Sequence, residues 1–261
     1  MKSFMRSLAP LLCLIAAMSV GTQSAAAEQG TAAKEKPRLY TYVSNWVIPR
    51  AKWDDMQKAD AANQKILDGA VGNSTILGYG TGEILVHHPE GSTHNDWWIS
   101  NSMAGLLDVL DQFYKSKTPT SAVLTSATKH WDNVYESQYY GWRAGTVRGG
   151  YVHGAAYKLR ADAPNDAVET LSKSFIVPLF EKLTAEGSVQ AWQVAEEAIH
   201  TSDPGMFFVF YITPDAKGID KTNAALRTAI GENSLALPAL ASMVDFSAHR
   251  DDLGRSNATF K

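Results

Sequence analysis

The sequence predicts an α+β chain made of two tandem β-α-β-β-α-β units whose sheets pack against each other as a barrel. Three observations predict it: short sequence blocks that recur in the same order, runs with the alternation of strands, and intervening stretches with helical spacing. The predicted units span residues 38–144 and 149–261.

The recurrence rests on five short blocks. Tyr42 and Pro49 recur as Tyr157 and Pro164, and a glycine ends the helical stretch that follows each proline. The other blocks pair Glu83–His87 with Glu196–His200, Trp97–Gly105 with Phe210–Gly218, and His130-x-Asp132 with His249-x-Asp251. The identities are few, so the evidence is their shared order. Coincidental matches between two unrelated α+β stretches are the alternative.

The first unit is expected to contain four strands and two helices. Aromatic and β-branched residues alternate from Leu39 to Trp46, as in a strand. Trp53, Met56 and Leu67 follow at helical spacing, and Gly72 ends that helix. The predicted strands are 39–46, 74–88, 94–101 and 135–142, and the predicted helices are 51–70 and 103–114.

The second unit repeats this order. Its first helix contains Pro178, which lacks an N–H to donate and is expected to interrupt or kink it. The predicted strands are 151–160, 189–199, 206–213 and 255–260, and the predicted helices are 166–185 and 216–230.

The element order β-α-β-β-α-β is that of the ferredoxin-like unit. Helices cover one face of such a sheet, and two units can bury their bare faces against each other. The chain therefore resembles the dimeric α/β-barrel (ferredoxin-like) superfamily in tandem form, which includes antibiotic-biosynthesis-type monooxygenases, stress-responsive barrel domains and haem-degrading enzymes. The resemblance rests on element order and the repeat, and no catalytic signature of one branch is present. It implies a cleft between each sheet and its helices that can hold an apolar or aromatic small molecule.

The first 27 residues have the pattern of a cleavable signal peptide. Lys2 and Arg6 precede an apolar run over 8–20, and Ala25-Ala-Ala27 precedes the polar Glu28. The run is about 13 residues, short of the roughly 20 that a membrane-spanning helix needs, which disfavours a retained anchor. We expect export to the periplasm or the medium, with residues 28–37 as a flexible leader.

Composition restricts the remaining possibilities. Cys13 is the sole cysteine and would leave with the signal, so the exported chain is expected to lack disulfides. The net charge is −3 and no basic stripe is present, so nucleic acid is not an expected partner. No later segment is long and apolar enough for stable membrane insertion. Formation of a homo-oligomer stays open.

A histidine-rich segment follows the predicted second strand. His88, His94 and Asp96, with the nearby His87, could supply ligands for a metal such as zinc. However, the segment is expected to form the turn between two strands, and adjacent strand residues point to opposite faces. A solvated hairpin is the favoured interpretation, and these residues are only weak candidates for metal ligands.

The recurring His-x-Asp pairs, His130 with Asp132 and His249 with Asp251, are candidate general bases. A carboxylate can orient an imidazole and raise its basicity. The favoured alternative is a structural hydrogen bond at the approach to the last strand of each unit, because both units keep the pair. His87 and His200 correspond between the units and could also face a cleft.

The sequence does not decide between three functions. A cleft-based enzyme could oxidise an aromatic molecule with or without haem, a non-catalytic protein could bind a ligand in the same cleft, and a structural or interaction module would need no ligand. No Gly-x-Ser-x-Gly motif is present, and Gly78-Tyr-Gly-Thr-Gly82 lies in a predicted strand rather than in a nucleotide loop. No cofactor can be assigned.

Overall fold

Eight strands and six helices form the part of the chain that the structure, a computed structural model, describes: residues 36–232 and 236–261. The predicted signal peptide and nearly all of the leader lie outside the described residues. The strands are β1 (Leu39–Val47), β2 (Gly78–Val86), β3 (His94–Ser100), β4 (Lys129–Trp142), β5 (Gly145–Leu159), β6 (Ala191–Glu197), β7 (Met206–Thr213) and β8 (Val244–Phe260). The helices are α1 (Trp53–Gly72), α2 (Met103–Lys115), α3 (Ala167–Leu171), α4 (Val177–Ala185), α5 (Ala216–Glu232) and α6 (Ala236–Met243).

The strands close into one antiparallel barrel in the order β1-β3-β2-β8-β5-β7-β6-β4. The first half, β1 to β4, therefore meets the second half, β5 to β8, along two edges. At one edge β2 pairs with β8, and at the other β4 pairs with β6. The chain is thus an α+β barrel protein, as predicted, and its eight strands form one closed antiparallel sheet.

The helices pack on the outward face of the barrel and create two separate cores. Leu106 and Val109 of α2 are fully buried against Tyr42 and Trp98 of the first-half sheet. In the second half, Phe180 and Leu183 of α4 pack against a larger apolar cluster that includes Val209. Because Phe180 and Leu183 are three residues apart, they lie on one stripe of the helix.

A third core lies in the barrel lumen. Leu39, Ile99, Ala191, Ile212 and Phe260 come from five different strands and contact one another inside the barrel. Their alternation with outward-facing residues follows from the two-residue period of a strand. An eight-stranded barrel has an interior just wide enough for such side chains or for one small ligand.

The departures from the predicted elements that affect candidate residues concern β4 and β8. Both begin much earlier than predicted, so each His-x-Asp pair lies inside its strand rather than before it. The early parts of both strands are polar and lack the alternation of a strand. They are extended because β4 pairs with β1 and β8 pairs with β5. Helix α6 was not predicted. The interruption expected near Pro178 is a turn of π-helix over Ser172–Ile176, directly before α4.

The strand registers correct one part of the predicted repeat. Trp46 lies opposite His94, and Tyr157 lies opposite Phe207, so the position equivalent to Tyr157 is Trp46 and not Tyr42. The position equivalent to Tyr42 is His153. The error arose because a shared tyrosine was aligned by sequence, whereas cross-strand pairing fixes the register.

Candidate functional site

The outward face of the first-half sheet carries two cross-strand rows of mainly polar side chains under α1. We call these eight residues the polar patch. The first row, in the order β4-β1-β3-β2, is His130, Trp46, His94 and Glu83. The second row is Asp132, Ser44, Asp96 and Thr81. Cross-strand neighbours have Cβ atoms about 4.5–5.5 Å apart, so two imidazoles and three carboxyl groups share a small area.

A further carboxyl group, that of Asp60, reaches the polar patch from α1. Asp60 follows the buried Met56 by one helical turn, and its Oδ1 is buried without a hydrogen-bond partner in the described part of the chain. Burial and the charge of Asp96 raise the pKa of Asp60, and burial raises the pKa of Asp96. Because like charges so close cannot both ionise freely, the pair keeps a proton at a pH where exposed carboxyls have lost theirs.

His94 is the buried histidine of the patch. Its Nδ1 lies 3.1 Å from the hydroxyl of Thr93, and its ring meets the edge of Trp53 with centroids 5.1 Å apart. Burial lowers the pKa of His94, and the carboxylate of Glu83 opposes this only in part. A neutral imidazole has one nitrogen that donates and one that accepts.

His130 and Asp132, a predicted pair, close the other end of the patch. His130 Nε2 lies 3.2 Å from Asp132 Oδ1 and 3.1 Å from the hydroxyl of Ser44. The imidazole stacks on Trp46 with centroids 3.7 Å apart. Burial and the neighbouring Asp132 also raise the pKa of Tyr42. The pair is therefore held by several contacts and not by one hydrogen bond.

A cleft of about 400 Å³ opens beside α1 and extends over β2 and β8. Asp60 and His94 lie at its inner wall, and Tyr79, Thr81 and Glu83 contribute to its floor, while Arg148 and Arg255 line the opposite side. Neither guanidinium lies within ion-pair distance of a carboxylate of the described residues. The cleft thus has Asp60, a carboxyl group of raised pKa, on one side and two cations on the other, across a space large enough for a small molecule.

The same positions of the second half are mostly apolar. Asp251, Ala155, Val209 and Val194 form the row equivalent to Asp132, Ser44, Asp96 and Thr81. Val209 is 8% exposed and belongs to the large core under α4. The equivalent cleft, beside α3, has about 220 Å³, and the Arg38–Glu136 ion pair of 2.7 Å occupies its wall.

His249 and Asp251 keep their predicted pairing in the second half. His249 Nε2 lies 3.1 Å from Asp251 Oδ2, and His249 Nδ1 lies 3.0 Å from the carbonyl oxygen of Ala156. The imidazole stacks on Tyr157 with centroids 4.4 Å apart, as His130 stacks on Trp46. His153 adds a second imidazole 3.7 Å from Asp251. These rings lie against a packed core and not against a comparable cleft.

The remaining candidates lie apart from the polar patch. His87 and His88 are exposed in the turn after β2, and His200 is exposed in the loop after β6. His94 and Asp96 share the outward face of β3. His88 instead donates its backbone N–H to Asp252, and its Nδ1 accepts from the backbone N–H of Glu90 in the turn. Within residues 36–232 and 236–261, no group of three or more His, Cys, Asp or Glu is arranged to hold a metal ion.

Asp60 is the functional candidate that the sequence predictions missed. A signal was present, because Met56, Asp60 and Leu67 share one helical stripe and an acid in such a stripe faces the sheet. Arg148 and Arg255 were also missed, since only the β2–β8 and β5–β8 pairings bring them to the cleft.

Solved structures of low sequence identity have this fold. A proposed monooxygenase from Lactobacillus acidophilus NCFM is 11% identical, with a TM-score of 0.60, and the match covers 86% of this chain and 97% of that one. One from Fusobacterium nucleatum is 8% identical, with a TM-score of 0.61 and coverages of 85% and 94%. An anthrone oxidase-like protein is 11% identical, with a TM-score of 0.50 and coverages of 85% and 92%.

These likenesses confirm the α+β-barrel fold of this chain and show nothing beyond the fold. No protein-family model matches the sequence, and a comparison with curated proteins finds no match.

Proposed function

We propose that the protein binds a small aromatic molecule bearing hydroxyl or carbonyl groups in the cleft beside α1. The observation that carries the proposal is the carboxyl group of Asp60, which lines that cleft and whose pKa is raised by burial and by the charge of the buried Asp96. When protonated, Asp60 can donate a hydrogen bond to a carbonyl, and when ionised it can accept one from a hydroxyl. Binding sites commonly combine a ring-sized space with a few converging polar groups of this kind.

The other walls of the cleft suit the same ligand class. The ring of Tyr79 and the aliphatic part of Gln64 give contact area. Arg148 and Arg255 can donate hydrogen bonds to a ligand oxygen that carries partial or full negative charge. A tricyclic phenol or ketone would span the distance from the acid pair towards the cations.

Equilibrium binding of 1,8-dihydroxyanthrone under nitrogen tests this proposal. We expect saturable binding to the unaltered protein and about tenfold weaker binding to Asp60→Asn, because the substituted amide cannot share the proton of the pair. Asp54→Asn, an exposed acid of the same helix, is the matched control and should bind like the parent. Equal binding by all three proteins would contradict the proposal.

Oxidation of the bound molecule by dioxygen is a second candidate function. Two observations favour it: a carboxylate of raised pKa is well matched to removing a proton from a phenol or enol near neutral pH, and proteins with this fold include proposed monooxygenases and an anthrone oxidase-like protein. For an anthrone the reaction balances as anthrone plus O₂ giving anthraquinone plus water, with the ring carbon oxidised and dioxygen reduced.

Oxygen uptake with 1,8-dihydroxyanthrone in air tests the oxidation. We expect uptake above the spontaneous rate, suppressed about 100-fold or more in Asp60→Asn, the range typical for loss of a general base. A visible absorption spectrum of the purified protein tells whether haem contributes. Binding without any rate above the spontaneous one would leave the protein a binding protein.

We infer that the barrel is a fusion of two ferredoxin-like units. The order of strands around the barrel supports this, because each half contributes its fourth, first, third and second strand in that sequence. The equivalent positions of His130–Asp132 and His249–Asp251 support it further. Separate expression of residues 36–144 and 145–261 tests it: the two pieces should associate into one folded complex, and failure to associate would count against it.

We also propose that the chain is exported and that cleavage leaves Glu28 as the first residue. The charged, apolar and small-residue order of residues 1–27 supports this. N-terminal sequencing of the protein recovered from an extracytoplasmic fraction should begin at Glu28. Recovery of the full-length chain from the cytoplasm would contradict export. Among the described residues, none of the helices has the length and apolar character needed to cross a membrane.

A further inference from the structure

The barrel lumen contains two connected chambers that the cleft does not reach. The inner chamber, of about 100 Å³, is lined almost entirely by carbon, with Leu39, Ile99 and the rings of Trp97, Trp142 and Phe260 in its walls. The outer chamber, of about 200 Å³, lies towards the turn that contains Ser92. Both chambers lie on the inward face of the strands, whereas the polar patch lies on the outward face.

Four side chains border both chambers: Val43, Asn95, Val152 and Phe210. Asn95 is the polar member of this border, and its Oδ1 is buried without a hydrogen-bond partner among the described residues. A buried, unpartnered amide oxygen costs free energy unless a donor reaches it. The border therefore offers an unused acceptor beside an apolar space.

The glycines of β2 explain how the rings come to line the inner chamber. Gly78, Gly80 and Gly82 alternate along β2, and a Cβ built on Gly80 would lie 2.5 Å from the ring of Trp97. Because these glycines carry no side chain, the rings of Phe260 and Trp97 can lie over β2, with centroids 5.7 Å apart. Trp142 stands 6.0 Å from Phe260 on the other side. The chamber consequently has flat aromatic walls.

The outer chamber provides neutral hydrogen-bonding groups. Asn45 Nδ2 donates to Asn133 Oδ1 at 3.0 Å, and Asn133 in turn donates to Glu197 and to the hydroxyl of Thr201. Arg250 and Asp252 both border this chamber, so charges of opposite sign face it together. A neutral polar group fits these surroundings better than an ion.

We propose that the lumen is a second binding site, which takes a monocyclic aromatic molecule with one neutral hydrogen-bond donor. The ring occupies the inner chamber and the donor reaches Asn95 Oδ1. The size agrees with this class, since an engineered apolar cavity of about 150 Å³ in another protein binds benzene, and the inner and outer chambers, of about 100 and 200 Å³, together exceed that volume. The tricyclic ligand proposed for the cleft is too large for the inner chamber, so the two sites take different molecules.

Calorimetric titration with phenol and toluene tests the lumen site. We expect both to bind the unaltered protein. Ala191→Leu places a larger side chain in the inner chamber and should weaken both by about tenfold or more, because the ring no longer fits. Asn95→Leu should weaken phenol by about five- to tenfold and leave toluene unchanged, which is the value of one hydrogen bond.

Two further variants make the outcome decisive. Val152→Leu fills the same chamber from another strand and replaces Ala191→Leu if that variant does not fold. Asp60→Asn, in the cleft, should leave phenol binding within about twofold of the parent, since distant sites act independently. The proposal is overturned if phenol does not bind the unaltered protein, if the filled variants bind it equally well, or if Asp60→Asn weakens it as strongly. None of these results depends on the tricyclic ligand of the cleft.

Discussion

The two outward sheet faces occupy equivalent positions in one barrel but differ in what fills them. In the first half, Ser44, Asp96 and Thr81 sit where the second half has Ala155, Val209 and Val194. The first face leaves an open cleft of about 400 Å³ beside α1. The second face is covered by α4 and by a continuous apolar core.

The difference indicates that the first half carries the binding site and the second half supports the fold. Burying carboxyl groups of raised pKa costs stability, and proteins tolerate such a cost mainly at functional sites. The packed second half can supply the stability that the polar first half lacks. Both faces keep the aspartate of the His-x-Asp pair. The polar or apolar residues beside it on the sheet decide whether it borders a binding site or only a packed core.

The largest expected effect comes from giving the second face the acid of the first. Val209→Asp places a carboxyl group in the core under α4, where nothing can solvate it, and should lower the free energy of unfolding by about 3 kcal/mol or more. Urea unfolding measures this. Val209→Thr, of nearly the same shape, is the control and should cost less. A fully stable Val209→Asp variant would mean that the second face is not closed.

The reverse change, which gives the first face the valine of the second, should stabilise the folded protein. The pKa of Asp96 is raised in the folded protein, so the native state binds more protons than the unfolded state, and stability falls as pH rises through that interval. Asp96→Val removes this penalty. Its melting temperature should exceed that of the parent by about 2–6 °C at pH 8 and by less at pH 5.

Asp54→Asn is the control for this pH dependence, because Asp54 is an exposed acid on α1 rather than a buried one. It should change the melting temperature little at either pH. A lower melting temperature for Asp96→Val at pH 8 would show that the Asp96 carboxylate stabilises the fold, contrary to the account.

A smaller effect is expected from His94. Burial lowers its pKa, so the native state takes up its proton later than the unfolded state does as the pH falls. The contribution of His94 to stability is therefore complete above a pH of about 6.5, the ordinary value for histidine, and is lost as the pH falls below it. NMR titration of the imidazole measures the pKa, with His94→Gln to assign the resonance. A midpoint above the ordinary value would refute the burial argument.

The smallest effects should come from the two equivalent aspartates. The side chains of Asp132 and Asp251 are 36% and 49% exposed, so solvent screens their contacts with histidine. Asp132→Asn and Asp251→Asn should each change the free energy of unfolding by about 1 kcal/mol or less. Only Asp132→Asn, in the half with the open cleft, should weaken binding of 1,8-dihydroxyanthrone. Equal weakening by both would remove the distinction between the halves.

Much of the fold could be predicted from the sequence because local patterns encode it. Alternating aromatic residues specify β1, and the apolar spacing from Met103 to Phe113 specifies α2. The start of β4 at Lys129 could not be predicted, since its order comes from pairing with β1 rather than from its own residues.

The candidate site was only partly predictable for a related reason. The His-x-Asp pairs are close in sequence, and their contacts follow directly from the two-residue period of a strand. The acid pair joins Asp60 of α1 to Asp96 of β3, and only the packing of that helix on the sheet brings them together. Export and the role of residues 1–35 stay predictions.

A crystal structure of the protein with bound 1,8-dihydroxyanthrone would show which of the two outward faces holds the ligand. We expect the ligand in the cleft beside α1, with an oxygen atom within hydrogen-bond distance of Asp60 and the second-half face unchanged. A ligand seated beside α3 against the second-half sheet, with the first-half cleft empty, would contradict the account.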